Sequence, residues 1–180
     1  MDLFSAPALV VEQEIGFAKS LVNTRYSVDV YDERGALLAR VRDRKGPGLL
    51  GVVRVAGEAG TTPYDLVVTL PDGREALGIK KGFSIFGGGP VAVTGPDGRP
   101  VGTMERKLTS PIRFTDPGGH PLGEFPALAS FRYGEVAKRD GKRVRRNTLW
   151  PRPEVGGPAR LLTIAAGLAF TIVSGRGNEA

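Results

Sequence analysis

The sequence contains no cysteine and a single histidine, His120, among its 180 residues. Without cysteine the chain can form no disulfide, no thiolate zinc site and no iron–sulfur cluster, and it has no cysteine nucleophile. The lone histidine lies in the turn-like segment 118–121, and no nucleophile that it could activate is identifiable there. We therefore expect no metal, no cofactor and no enzymatic activity.

A long hydrophobic run and a basic leader are also missing. The first fourteen residues carry acids such as Asp2 and Glu12 where a secretory signal would carry basic residues, so we expect a cytoplasmic protein. The most apolar stretch, residues 161–173, would be about 20 Å long as a helix, whereas the hydrocarbon layer of a membrane is about 30 Å thick. The stretch favours a buried core helix, and a C-terminal membrane anchor is the alternative.

Glycine and proline are abundant instead, with 26 and 14 copies, which favours short strands joined by tight turns. Four segments, residues 29–43, 69–81, 93–107 and 114–125, read as strand, turn and strand. Aligned on a central turn glycine, each segment has an apolar residue six positions later. The turn glycines are Gly35, Gly73, Gly98 and Gly119, and the apolar residues are Val41, Ile79, Met104 and Phe125. Four β-hairpins are therefore predicted.

Further strands are predicted between and around these hairpins. They cover residues 8–13, 26–31, 51–55, 64–70, 84–86 and 128–136, and a last pair flanks Asp140 and Gly141 and ends near Trp150. The total is about twelve strands. The turn glycines are unevenly spaced, which excludes a propeller or a solenoid with a fixed repeat.

One helix is predicted, at residues 158–174, and its apolar residues cover every face. A helix of this kind must be enclosed, because a surface helix would keep a polar stripe. About twelve strands closed into a barrel leave an interior close to the width of one helix. We expect one domain over residues 1–180, a mainly β, closed antiparallel barrel with strands at about 8–150 around this helix. The alternative places the helix on the side of a β-sandwich.

The order of these features resembles the tubby C-terminal-like superfamily, and within it the LURP-one-related and phospholipid scramblase-like proteins. The resemblance rests on the Tyr-x-Val-x-Val-Tyr-Asp run at residues 26–32, the repeated hairpins and the single hydrophobic C-terminal helix. It implies a twelve-stranded barrel around a central helix, and an association with phosphoinositides or other membrane lipids. The acidic calcium loop that scramblases carry before the helix is not matched, since Glu154 is the only acid in residues 151–160.

The candidate binding site is a concentration of basic residues in segment 138–146, where six cations accompany one acid, Asp140. The six are Lys138, Arg139, Lys142, Arg143, Arg145 and Arg146. They predict a site for anionic phospholipid or phosphoinositide at the inner surface of a membrane. If strands flank Asp140, alternation of side chains would divide the cluster between two faces. A structural or protein-interaction module without a lipid partner, and non-specific nucleic-acid binding through the same residues, are the alternatives.

Overall fold

The computed structural model describes residues 2–15, 27–44, 63–82, 89–106 and 110–174. The described chain is mainly β, with eleven strands, one short helix and one long helix. The strands are β1 (Leu9–Glu14), β2 (Ser27–Tyr31), β3 (Leu37–Asp43), β4 (Tyr64–Thr69), β5 (Glu75–Lys81), β6 (Val91–Thr94), β7 (Pro100–Glu105), β8 (Arg113–Thr115), β9 (Pro121–Glu124), β10 (Ala129–Arg139) and β11 (Lys142–Pro151). The helices are α1 (Phe125–Leu128), between β9 and β10, and α2 (Gly157–Ser174), at the end.

All eleven strands belong to one antiparallel sheet. From β1 to β9 each strand pairs with the next in sequence, so this part is a simple meander. The hairpin β10–β11 then returns to the beginning, and β11 pairs with β1 on the side away from β2. The earliest and the latest strands of the chain are therefore neighbours.

The four predicted hairpins are confirmed, and they share one turn geometry. Each turn glycine adopts a left-handed φ, between 75° and 88°. Its N–H donates to the carbonyl oxygen three residues earlier at 2.9–3.0 Å in every copy. A turn aspartate also accepts a backbone N–H in each copy, as in the 2.8 Å bond from the His120 N–H to Asp116 Oδ1. The Asp and Gly of each turn thus have the roles that their chemistry predicts.

Each hairpin also carries one bulge, at the position three residues after the turn glycine. The register shifts there in all four copies, so one residue of the second strand has no direct partner. The unpaired residues are Leu38, Ala76, Val101 and Leu122. Because bulges bend a strand and increase its twist, four bulges at equivalent positions curve the sheet repeatedly in the same sense.

The core lies between one face of the sheet and helix α2. Burial alternates along the strands, as at Val28 and Val30 of β2 and at Leu66 and Val68 of β4. Helix α2 contacts strands spread across the sheet order, namely β1, β5, β7, β9, β10 and β11. Every residue from 162 to 169 in the helix is buried. The prediction of an enclosed C-terminal helix is confirmed.

Close packing of the helix depends on a small residue. A Cβ placed on Gly167 would lie 2.8 Å from Cδ2 of Leu149 in β11, so only glycine allows this approach of helix and strand without a shift. None of the described helices is long and apolar enough to cross a membrane.

The closed barrel of about twelve strands is not what the described residues form. Their eleven strands make a sheet with two ends, β10 and β9, and no β-ladder joins these two strands in the described part of the chain. Of the predicted strands, residues 51–55 and residues 84–86 lie outside the described ranges. Phe125, aligned as a strand residue, begins helix α1, which connects the two ends of the sheet.

Candidate functional site

The six basic residues predicted as a binding site lie at the end of the hairpin β10–β11. Asp140 and Gly141 form its turn, with φ values of 49° and 79°. The cross-strand pairs are Lys138 with Arg143 and Arg139 with Lys142. We call residues 138–146 the basic hairpin.

Alternation divides the cluster between the two faces, as predicted. Arg143 and Arg145 occupy the same face of β11 as Asn147, whose side chain reaches helix α2. Lys138 shares that face as the cross-strand partner of Arg143. The other three cations, Arg139, Lys142 and Arg146, occupy the opposite face.

Two of these cations are held by Glu12 of strand β1. Both Nε and Nη2 of Arg139 donate to its carboxylate, and Nη2 of Arg146 lies 2.8 Å from Oε1. The Glu12 side chain is only 3% exposed, so its charge depends on these two partners. The bonds to Glu12 raise the pKa of Arg139. The Arg139 guanidinium also lies 3.8 Å from the ring centroid of Tyr31, a cation–π contact.

Two further cations have contacts within the protein. Nζ of Lys142 lies 2.7 Å from Oε1 of Glu14, and this hydrogen bond raises the pKa of Lys142, whose side chain stays 64% exposed. Arg145 is buried, with 9% of its surface exposed. Arg139, Arg145 and Arg146 therefore pack the hairpin against the rest of the protein, whereas Lys142 forms an exposed ion pair.

Lys138 and Arg143 remain exposed, and they are direct cross-strand neighbours. Among the described residues neither forms an ion pair. Val136, which is 57% exposed, and Tyr133, which is 36% exposed, are the large apolar side chains exposed in the described part of the chain, and both lie on the same strand as Lys138. We call Tyr133, Val136, Lys138 and Arg143 together the tip surface.

The basic pattern of the sequence did not identify the apolar half of this surface. Both Tyr133 and Val136 belong to the predicted strand at residues 128–136, and nothing in that pattern distinguishes an exposed apolar residue from a buried one. Tyr133 lies within the bulge between Arg132 and Glu135, and Val136 lies beyond it as the cross-strand partner of Arg145.

His120 and its neighbours among the described residues form no second site. His120 is 80% exposed in its turn, and its Nδ1 lies 3.0 Å from Asp116 Oδ2. Contact with His120 lowers the pKa of Asp116. No group of three or more potential metal ligands occurs among the described residues.

Comparison of the chain with protein-family models, with curated proteins and with solved structures gives no match. The resemblance to tubby-like and scramblase-like proteins stays a prediction.

Proposed function

We propose that the protein is a non-enzymatic domain that binds anionic membrane lipid through the tip surface. The observation that carries this proposal is the exposure of Lys138 and Arg143 directly beside exposed Val136. A cation pair recognises phosphate headgroups, and a neighbouring apolar side chain can enter the boundary between headgroups and acyl chains. On this proposal the protein works at the inner surface of a membrane.

The energetics point to weak, reversible binding. Each basic residue near an anionic membrane surface contributes about 1 kcal/mol, so the two exposed cations contribute about 2 kcal/mol. Insertion of the exposed Val136 adds about 1–2 kcal/mol, given that full burial of a valine side chain is worth about 1.5–3 kcal/mol. Binding should therefore depend strongly on salt and on the anionic lipid fraction.

The proposal also includes a sheet closed into a barrel around helix α2 and membership of the tubby-like family. Along the sequence only helix α1 lies between β9 and β10, which are the two ends of the sheet. This helix has four residues and is about 6 Å long along its axis. Helix α2 contacts strands from both ends of the sheet. These features support a sheet that wraps around the helix, which is the architecture that the resemblance implies.

The test is vesicle co-sedimentation with phosphatidylcholine alone and with added phosphatidylserine. The double variant Lys138→Gln/Arg143→Gln should bind anionic vesicles about 30-fold more weakly, which corresponds to the loss of two contributions of about 1 kcal/mol. Since both side chains are exposed and form no ion pair with the residues that the structure describes, the variant should keep its stability.

The matched control is Arg74→Gln/Arg99→Gln, which removes the same charge from two exposed hairpin turns of the β4–β7 meander. It should bind like the wild type. Equal loss in both double variants would mean that only net charge matters, and unchanged binding by Lys138→Gln/Arg143→Gln would refute the proposed site. Retention on DNA without binding to vesicles would favour a nucleic-acid partner instead.

A further inference from the structure

Strand β10 forms one end of the sheet and offers a backbone edge as well as side chains. Among the described strands it pairs only with β11. In an antiparallel pair, alternate residues direct their N–H and C=O groups to the partner, and the residues between them direct these groups away. The available hydrogen bonds establish which residues of β10 face outward.

Two bonds fix this alternation beyond the bulge. Ile15 N–H donates to the Arg143 carbonyl at 2.9 Å, so Arg143 and Arg145 direct their backbone groups to β1. The residues between and beside them, 142, 144 and 146, therefore bond to β10, at their cross-strand partners 139, 137 and 135. The backbone N–H and C=O groups of Val136 and Lys138 consequently point away from β11.

The same argument applies before the bulge. Arg152 N–H donates to the Leu128 carbonyl at 2.9 Å, which makes this a hydrogen-bonded pair in the register of β10 and β11. Counting along β10, residues 130 and 132 also bond to β11, whereas Ala129 and Phe131 direct their backbone groups to the outer side. The outward-facing groups thus recur along the strand, as in an edge that can accept another strand.

The side chains at this edge determine which kind of partner strand can pair with β10. Arg132 and Lys138 are exposed on β10, and Arg143 stands beside Lys138. The acidic residue of this stretch is Glu135. Its Oε1 lies 3.9 Å from Nη1 of Arg146, so its negative charge is partly offset. The edge is basic, so it complements an acidic segment.

The charge of the edge decides between a second copy of this chain and a different partner. A second copy would bring an equal set of exposed cations, Arg132, Lys138 and Arg143, to the same edge, whereas an acidic segment would neutralise them. Charge therefore favours an acidic partner over self-association.

An aromatic cluster that includes the exposed Tyr133 lies beside this edge. The ring centroids of Phe131 and Tyr133 lie 5.4 Å and 5.5 Å from that of Phe170 in helix α2, and both contacts are edge-to-face. Phe125 of helix α1 continues the cluster at 6.2 Å from Phe131. The cluster is partly buried, and its members hold one another in fixed orientations.

We infer that the β10 edge binds an extended acidic segment of a partner protein by strand addition. The backbone groups of Val136 and Lys138 would form the ladder. On the face of β10 that carries these two side chains, successive side chains of the added strand should be apolar beside Val136 and acidic beside Lys138. The recognised pattern is therefore an apolar and an acidic residue two positions apart.

The test uses a labelled octapeptide of alternating Val and Glu, with a Val and Lys octapeptide as the charge control, and fluorescence anisotropy as the readout. Val136→Pro removes the outward N–H and keeps the ladder to β11, and Val136→Ala keeps that N–H although it removes two carbons of the side chain. We expect Val136→Ala to bind the acidic peptide within about threefold of the wild type, and Val136→Pro to bind at least tenfold more weakly.

Val136 also belongs to the tip surface, so the lipid proposal is judged by the vesicle binding of Lys138→Gln/Arg143→Gln, and this inference is judged by the peptide binding of the two Val136 variants. Failure of one is therefore distinguishable from failure of the other. Equal peptide affinity for the two variants, equal binding of the basic octapeptide, or a wild-type dimer that Val136→Pro dissolves would each overturn the inference. If Val136→Pro does not fold, amide hydrogen exchange of the wild type decides the question. The Val136 and Lys138 amides should exchange fast in the free protein and at least tenfold more slowly with the acidic octapeptide, and unchanged exchange would refute the inference.

Discussion

At the scale of single residues, Asn147 shows how the helix is aligned with the sheet. Its side chain is fully buried, its Oδ1 accepts the Gly134 N–H at 2.8 Å, and its Nδ2 donates to Thr171 Oγ1 at 3.1 Å. Thr171 in turn donates to the Gly167 carbonyl at 2.9 Å. One amide therefore joins β10, β11 and α2. Apolar contacts tolerate a rotation of the helix, whereas these directional bonds do not.

Thr171→Val should destabilise the protein by about 1–3 kcal/mol, because it leaves Nδ2 of Asn147 buried without its acceptor. Urea unfolding with an unchanged m-value measures this loss. The double variant Thr171→Val/Asn147→Leu should lose less than the sum of the two single variants, since the bond between them is lost only once. Strict additivity would show that the two side chains are not coupled.

The same scale explains what could be predicted of the candidate site. The distribution of its six cations between two faces followed from strand alternation alone. The ion pairs that neutralise these cations could not be predicted in this way. Glu12 is 127 residues away from Arg139, and Glu14 is 128 residues away from Lys142. No local pattern reports such a pairing. It depends on the return of β11 to β1, which is a property of the sheet order.

At the scale of elements, turn chemistry was the most reliable signal. The glycine and aspartate positions predicted all four hairpins, and helix α2 begins one residue before the predicted start and ends at the predicted residue. The bulges were not predicted, although each interrupts the alternation of its strand: two neighbouring residues are buried at Leu38 and Ala39 in β3 and at Ala76 and Leu77 in β5. Helix α1 was missed because Phe125 occupies the repeat position of a strand residue, although Pro126 in the next position suits a helix start.

Two glycines of the same hairpin should respond very differently to alanine. A Cβ on the turn residue Gly98 would meet nothing within 4 Å, so Gly98→Ala has only its left-handed backbone to oppose it and should cost about 1 kcal/mol. A Cβ on Gly102 would lie 2.2 Å from the Thr115 carbonyl oxygen and 3.0 Å from Leu162 Cδ1. Gly102→Ala should cost more than about 3 kcal/mol, because a backbone atom of β8 must move.

Thermal and urea unfolding of both variants check this difference. Similar losses at the two positions would mean that strand β7 does not lie against β8 and helix α2 as described. A large loss at Gly98 alone would point to the turn itself as the element that determines the hairpin.

At the scale of the whole molecule, helix α2 packs on one face of the sheet and contacts strands across it. The large antiparallel sheet and the buried helix followed from the sequence, since turn signals and an apolar surface on all sides of the helix are visible in it. The predicted closed barrel is not confirmed among the described residues, because a meeting of β9 and β10 depends on strand tilt and stagger, which no local motif encodes. The sequence patterns were thus sufficient for the layers and insufficient for the topology at the ends of the sheet.

A chain that ends at residue 156 lacks helix α2 and should not fold cooperatively. Side chains such as Ile164, Leu168 and Ile172 are fully buried, and their joint loss exceeds the usual reserve of about 5–15 kcal/mol. Loss of the cooperative urea transition and binding of a hydrophobic dye are the expected readouts. The full-length variant Leu168→Ala is the control, with a loss of about 2–5 kcal/mol and a retained transition. A folded, cooperative truncated chain would support the membrane-anchor reading of the helix instead.

The order in which the strands are synthesised affects how the sheet can fold. Strand β1 is synthesised before the other described strands, whereas its partner β11 and the helix that covers the sheet are synthesised after them. At about 5–20 residues per second, the apolar face of the meander therefore stays exposed to water until these two elements are made. The sheet cannot be completed before residues 142–174 are synthesised, and until then its apolar face is a surface that chaperones can shield.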